Sequence, residues 1–423
     1  MIFGARERSP RHRSGAACLV PGILIAAAVS LASTRAAAQT PPTSPLTLGG
    51  AIERALEANP SIAAVRLRRD ITLAQLRVAS ERLNPEARVE IERETPTEAY
   101  SLAVPWEAGG KRGRRIAVAE AAIRTGEAEV AQTIAEVRFA VRRAYFGRLV
   151  AEARLTLLDE MQMLAMRARD VAQQRFETGD APRLEVMQAQ LAVAQAENEG
   201  TGARGTVTAA RAELNALLGL PLDGSVPLAE TLDAGEVAAP AVGIARAEAA
   251  NTELTVINRR LEEQRARLAL ARSLQVPDVT PEFTVTRGND PEFNTGWRAA
   301  VAVTLPLFSS HRAGVLVEEA TLTQLTRERE ATLARITGEV TAASAIADAQ
   351  RVQYARYRDE ILPQALDVER LAEESYRLGQ TGIVALLQAL QASRDARLRS
   401  LQAADSLQSA LAELERAVGA PLP

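Results

Sequence analysis

The sequence predicts a mainly α protein with a small β part: duplicated long helical hairpins, with four strands per chain. Three observations predict it. The chain is written twice, because Asn59, Arg68 and Pro85 stand 192 positions before Asn251, Arg260 and Pro277, while Gly179, Gly219 and Pro221 stand 200 positions before Gly379, Gly419 and Pro421. An offset that holds and then shifts once marks a duplication with one loop insertion, and so long a period makes each copy a whole structural half rather than a solenoid turn. Helix-type apolar spacing runs without proline over 111–176 and, interrupted by Pro363, over 311–376. Ahead of both stretches, short segments alternate apolar and polar residues with the period of a strand.

Residues 1–38 read as a secretory signal peptide: Arg6, Arg8, Arg11 and Arg13, then an apolar run over 19–32, then Ala36-Ala37-Ala38 before Gln39. The single cysteine, Cys18, lies at the start of that run and not after it. A mature chain would therefore have no cysteine, no disulfide and no N-terminal lipid. Loss of five arginines and one glutamate with the leader moves the formal charge from -3 to about -7, which argues against a nucleic-acid partner. No later run of apolar residues is long enough for a membrane helix. Contact with a bilayer would have to come through strands or from the surface.

The first repeat, 39–222, opens with a helix expected over 48–83 and ended by Pro85. Ala87, Val89 and Ile91 then alternate with Arg88, Glu90 and Glu92, and a partner strand is expected over 100–105. The long helix over 111–176 would reach roughly 98 Å at about 1.5 Å per residue. Its apolar stripe is narrow, so its stability must come from neighbouring helices. It stops at Thr178-Gly179-Asp180, where glycine supplies a left-handed cap and Pro182 suits the first turn of the returning helix. Gly200, Gly202 and Gly205 interrupt that returning helix and have no assigned role. After a linker over 223–241, the second repeat, 242–423, follows the same order. A helix is expected over 242–274 and strands at 279–286 and 297–306. A long helix kinked at Pro363 then leads to a turn at Gly379 and a return to Gly419.

Four amphipathic strands are too few to close a barrel, and an open sheet leaves backbone groups that a bilayer cannot satisfy. Several chains would have to pool their strands, with Trp106 and Trp297 near the strand ends as membrane-interface aromatics. Such an object is a conduit. Enzyme chemistry has no support, since there is no Gly-x-Ser-x-Gly, phosphate loop or dinucleotide fingerprint, and His311 is the one histidine outside the leader. No cofactor or metal site is expected.

At this point the residues resemble a family. The order of elements, together with Val104-Pro105-Trp106-Glu107-Ala108-Gly109-Gly110-Lys111-Arg112, Thr304-Leu305-Pro306-Leu307-Phe308 and Ile361-Leu362-Pro363, is similar to the TolC family of outer membrane efflux channels. The resemblance implies a homotrimer, with a 12-strand barrel in the outer membrane lipid and a 12-helix tunnel extending into the periplasm. It further implies docking on a periplasmic adaptor and a resistance-nodulation-division type pump of the inner membrane. The Gly109-Gly110-Lys111-Arg112 stretch resembles the branch that serves heavy-metal pumps, with a drug or generic substrate as the other reading. Carried over residue by residue, Thr178, Gly179, Asp180, Leu378, Gly379 and Thr381 would form the periplasmic tip and meet the adaptor. Glu185 and Tyr376 would hold the entrance shut as a latch. Ala385 and Gln388 stand where the family can carry an acidic ring, which argues against a strong cation site there. The alternative is a periplasmic adaptor or structural coiled-coil protein without a pore, and two hairpins with only four strands argue against it.

Overall fold

Each repeat opens on a broken helix. The computed structural model describes residues 45–94, 96–232, 244–290 and 293–421. The expected leader and residues 233–241 of the expected linker lie outside them. In the first repeat α1 (Leu48–Ala58) and α2 (Pro60–Ser80) replace the continuous helix expected over 48–83. In the second, α5 (Ile244–Ala250) and α6 (Thr252–Ser273) replace the helix expected over 242–274. The residue at each break is the asparagine that marks the repeat.

Asn59 takes an extended conformation, and its side chain accepts from the Ser61 N–H at 2.9 Å while Pro60, which lacks an N–H, occupies the first turn. Asn251 accepts from the Leu254 N–H at 3.0 Å. Each amide also donates to the end of its own repeat, Asn59 to the Leu217 carbonyl at 3.4 Å and Asn251 to the Ala417 carbonyl at 2.9 Å. The break lets the start of each repeat close on its finish. Gly419 is needed there, because at φ 78° an added Cβ would lie 2.6 Å from the Asn251 Cα.

Strands β1 (Glu86–Ile91) and β2 (Glu98–Ala103) come from the first repeat, and β3 (Asp278–Asp290) and β4 (Phe293–Thr304) from the second. They form one antiparallel sheet in the order β1-β2-β3-β4, so the β2–β3 ladder joins the repeats and β1 and β4 are its edges. The long helices follow. α3 (Lys111–Glu177) runs unbroken for 67 residues and returns through α4 (Arg183–Leu217). In the second repeat α7 (Arg312–Arg356) meets a π turn at Tyr357–Ile361, which leads into α8 (Leu362–Arg377) and back through α9 (Ile383–Val418). The kink expected from Pro363 takes this form: proline cannot donate to the ladder, so the turn widens just ahead of it. Pro182 stands just outside its helix as the N-cap of α4, not in the first turn.

Packing is provided by neighbours along the long helices. α3 lies along α2, α4, α6 and α9. Ile62, Val141, Tyr145, Leu214 and Leu218 form the core of the first repeat; Leu254, Ile336, Val340, Leu407, Leu414 and Val418 form that of the second. Leu214 and Leu414 are both fully buried at equivalent places. Burial of each such side chain contributes about 1.5–3 kcal/mol.

Three of the four basic residues that follow β2, Lys111, Arg112 and Arg115, make contacts within the chain. Lys111 is buried and pairs with Asp278 at 2.7 Å, and the same carboxylate accepts from the Ala108 N–H at 3.1 Å. Arg112 donates to the Ser80 carbonyl at 2.8 Å, and Arg115 grips Glu107 and the Glu81 carbonyl. Among the described residues no helix is long and apolar enough to cross a membrane.

Candidate functional site

The two hairpin tips have nearly the same backbone. In the first, the Gly179 N–H reaches the Phe176 carbonyl at 3.1 Å and the Asp180 N–H reaches Arg175 at 2.8 Å. In the second, Gly379 donates to Tyr376 at 3.0 Å and Gln380 to Ser375 at 2.9 Å. Gly179 and Gly379 hold φ of 82° and 74°, with open space around both, so conformation and not crowding requires glycine. Thr178, Gly179, Asp180, Leu378 and Gly379 are exposed, while the Thr381 hydroxyl is buried without a hydrogen-bond partner. Thr178 donates to the Asp180 carboxylate at 2.7 Å.

The tips lie side by side. Ala172 and Val186 of the first hairpin share an apolar cluster with Tyr376, Ile383 and Leu386 of the second. Tyr376 is 1% exposed, and its hydroxyl donates to the Glu185 carboxylate at 3.2 Å. The Arg175 guanidinium lies 5.0 Å from the centre of the tyrosine ring. Burial, followed by the charge of and hydrogen bond to Glu185, pushes the Tyr376 hydroxyl up to about 12, against an opposing effect of Arg175. The phenol is therefore a fixed donor at neutral pH.

The sequence reading passed over two features here. They are Arg175, just ahead of the turn, and an exposed apolar group at the tip, Phe176, Leu184 and Val384 beside Leu378. The duplication itself shows why the Tyr376–Glu185 contact is single. At an offset of 200, Phe176 matches Tyr376 and Ala385 matches Glu185, so a tyrosine–carboxylate contact can form once per chain, across the repeats.

The sheet is the second candidate surface. Its register aligns Val89, Tyr100, Val285 and Trp297 in one row and Ala87, Leu102, Phe283 and Ala299 in the next on the same face. Pro281 with Val301 and Val279 with Val303 extend that face toward the helices. Trp106 bridges to Val279, which puts both tryptophans on this apolar face, 71% and 74% exposed. The Trp106 and Trp297 rows are separated by the six steps from Val279 to Val285, roughly 20 Å at about 3.3 Å per residue. Trp297 stacks on Phe283 with ring centres 6.3 Å apart. The opposite face carries Glu86, Arg88, Glu90, Ser101, Glu282, Thr284 and Arg298.

Paired helical hairpins under an open sheet with one apolar face are the build of an outer membrane channel of the efflux type. Residues 51–220 match the outer membrane efflux protein family. The chain is 26% identical to the cobalt-zinc-cadmium resistance protein CzcC of Cupriavidus metallidurans over 380 residues, 89% of this chain and 90% of that one. Among solved structures, it superposes on the outer-membrane channel OprN with a TM-score of 0.76 at 18% identity, covering 88% of this chain and 89% of that one. On CusC the values are 0.75 and 17%, covering 88% and 92%. The chain is thus similar to outer membrane efflux proteins over residues 51–220, and shares its fold with outer-membrane channels over 88% of its length.

Proposed function

We propose that three copies of this chain pool their sheets into a 12-strand barrel in the outer membrane, from which the hairpins extend as a 12-helix periplasmic tunnel. It would serve as the passive duct of a tripartite efflux system. The reading rests on one observation above all: both edge strands are open while one face is apolar between its two tryptophan rows. A bilayer tolerates such a face only when every backbone group is paired, and edge-to-edge closure by further copies pairs them. At a strand tilt of roughly 35–45°, a row spacing of roughly 20 Å spans about 15 Å of height, which fits inside the apolar band of about 25 Å found in such barrels.

The exposed tip residues Thr178, Asp180 and Leu378, with Gly179, Gly379 and Thr381 shaping the turns, would receive a periplasmic adaptor that links the duct to an inner-membrane pump. Glu185 and Tyr376 would hold neighbouring hairpins together and keep the entrance narrow. The cargo would be divalent heavy-metal cations, by likeness to a relative named for cobalt, zinc and cadmium resistance. The primary test is the mass of the purified protein in detergent, combined with single-channel recording. A trimer with discrete conductance is expected; a detergent-free soluble monomer would reject the duct. Expression in a strain deprived of its own channel should raise tolerance to cobalt, zinc or cadmium, and tolerance to dyes alone would reject the metal cargo.

A further inference from the structure

The polar face of the sheet is layered by charge. The register aligns Arg88, Ser101, Thr284 and Arg298 in one row across all four strands. The row nearer the helices carries Glu86 and Glu282 with Ala103 and Ala300, and the row farther out carries Glu90 with Ala99, Thr286 and Gly296. A basic layer thus lies between two acidic ones. Between the arginines stand the small hydroxyls Ser101 and Thr284, and Thr284 is buried and donates to the Glu282 carboxylate at 3.2 Å.

Neutralisation within the chain is loose. Arg88 comes no nearer than 3.6 Å to Glu90 and Arg298 no nearer than 3.9 Å to Glu282, and the two arginine side chains remain 68% and 70% exposed. Pairs of this kind are weak in water. Arg88 and Arg298 also sit on β1 and β4, the two open edges of the sheet. Edge-to-edge closure therefore brings an Arg298 edge beside the Arg88 edge of the next copy, and like charges gather at each seam.

We propose, on the strength of the barrel reading above, that these arginines form a collar inside the barrel that collects small anions. Three copies supply six guanidiniums along one row that climbs with the strand tilt of roughly 35–45°, in a lumen walled by low-dielectric protein and lipid, where fields are focused rather than dispersed. Small monovalent anions accumulate along this row and cations at the acidic rows on either side. The outer pore then passes cationic cargo together with its counter-anions instead of filtering it as bare cations.

The test uses the full chain in outer membrane vesicles, in a Cys18→Ser background, with methanethiosulfonate reagents of opposite charge. Ser101→Cys places a thiol within the arginine row and Leu102→Cys places one on the apolar face. The expected result is that, with each rate divided by that reagent's rate on a small free thiol in solution, Ser101→Cys favours the anionic sulfonatoethyl reagent over the cationic trimethylammonioethyl reagent by a factor of roughly three to ten. Adding Arg88→Ser and Arg298→Ser should abolish or invert that ratio while Leu102→Cys stays protected by lipid. A ratio unmoved by removal of both arginines, with Leu102→Cys still protected, would overturn the collar and leave the barrel standing. Leu102→Cys as reactive as Ser101→Cys would overturn the barrel and the collar with it.

Discussion

Tyr376 and Lys111 show how single polar groups are used where the fold leaves little room for them. The Tyr376 pKa is raised from 10.0 to about 12, so its contribution to stability is present in full below about pH 10 and lost as pH climbs toward 12. A phenolate absorbance titration should lose a component near 12 on Tyr376→Phe; no loss of late-ionising absorbance in that variant would refute the burial and charge argument. Tyr376→Phe and Glu185→Ala each remove a hydrogen bond to a charged group, worth about 1.5–3 kcal/mol. Under the proposed latch both should raise mean conductance, and unchanged conductance in both would discard it. Lys111→Met removes the partner of Asp278 at the sheet-to-helix junction, and a loss of about 1–3 kcal/mol in thermal unfolding is expected. Arg112 and Arg115 of that stretch are engaged with the Ser80 and Glu81 carbonyls and Glu107.

At the scale of elements, the asparagine breaks decide how each repeat closes. Asn251→Ala loses the cap on α6 and the 2.9 Å bond to Ala417, about 1–2 kcal/mol in all. Asn59→Ala should cost less, because its bond to Leu217 is 3.4 Å long and Pro60 already favours the first turn of α2. Equal losses, measured by thermal unfolding of the two variants, would contradict this ranking. Both breaks were visible in the sequence as repeat markers. They were read as interior helix residues because apolar spacing continues across them, and only the carbonyls of Leu217 and Ala417 explain why the chain turns there. Pro363 was more legible, since a missing donor has the same local consequence wherever it sits.

For the whole molecule, the sheet faces the constraint that a single chain cannot meet. Its two edges are unpaired and its apolar face is exposed, so the isolated chain should associate or aggregate without detergent. Gly379→Ala pays only for the left-handed backbone, about 1–2 kcal/mol, whereas Gly379→Arg also places a bulky cation in open space at the tip. Under the proposed docking, Gly379→Ala should largely retain efflux and Gly379→Arg should lose it with trimers intact. Equal efflux from both would make the turn a cap and nothing more.

Periodicity and punctuation in the sequence determined the duplication, the strands, the long helices and the glycine turns, because each depends on backbone geometry set within a few residues. The tertiary structure decided what depends on residues far apart. It broke the opening helices on distant carbonyls, turned Lys111 inward to Asp278, and brought Glu185 of one repeat to Tyr376 of the other. It also aligned both tryptophans on one face and the arginines on the opposite one, through a β2–β3 register that no local pattern contains.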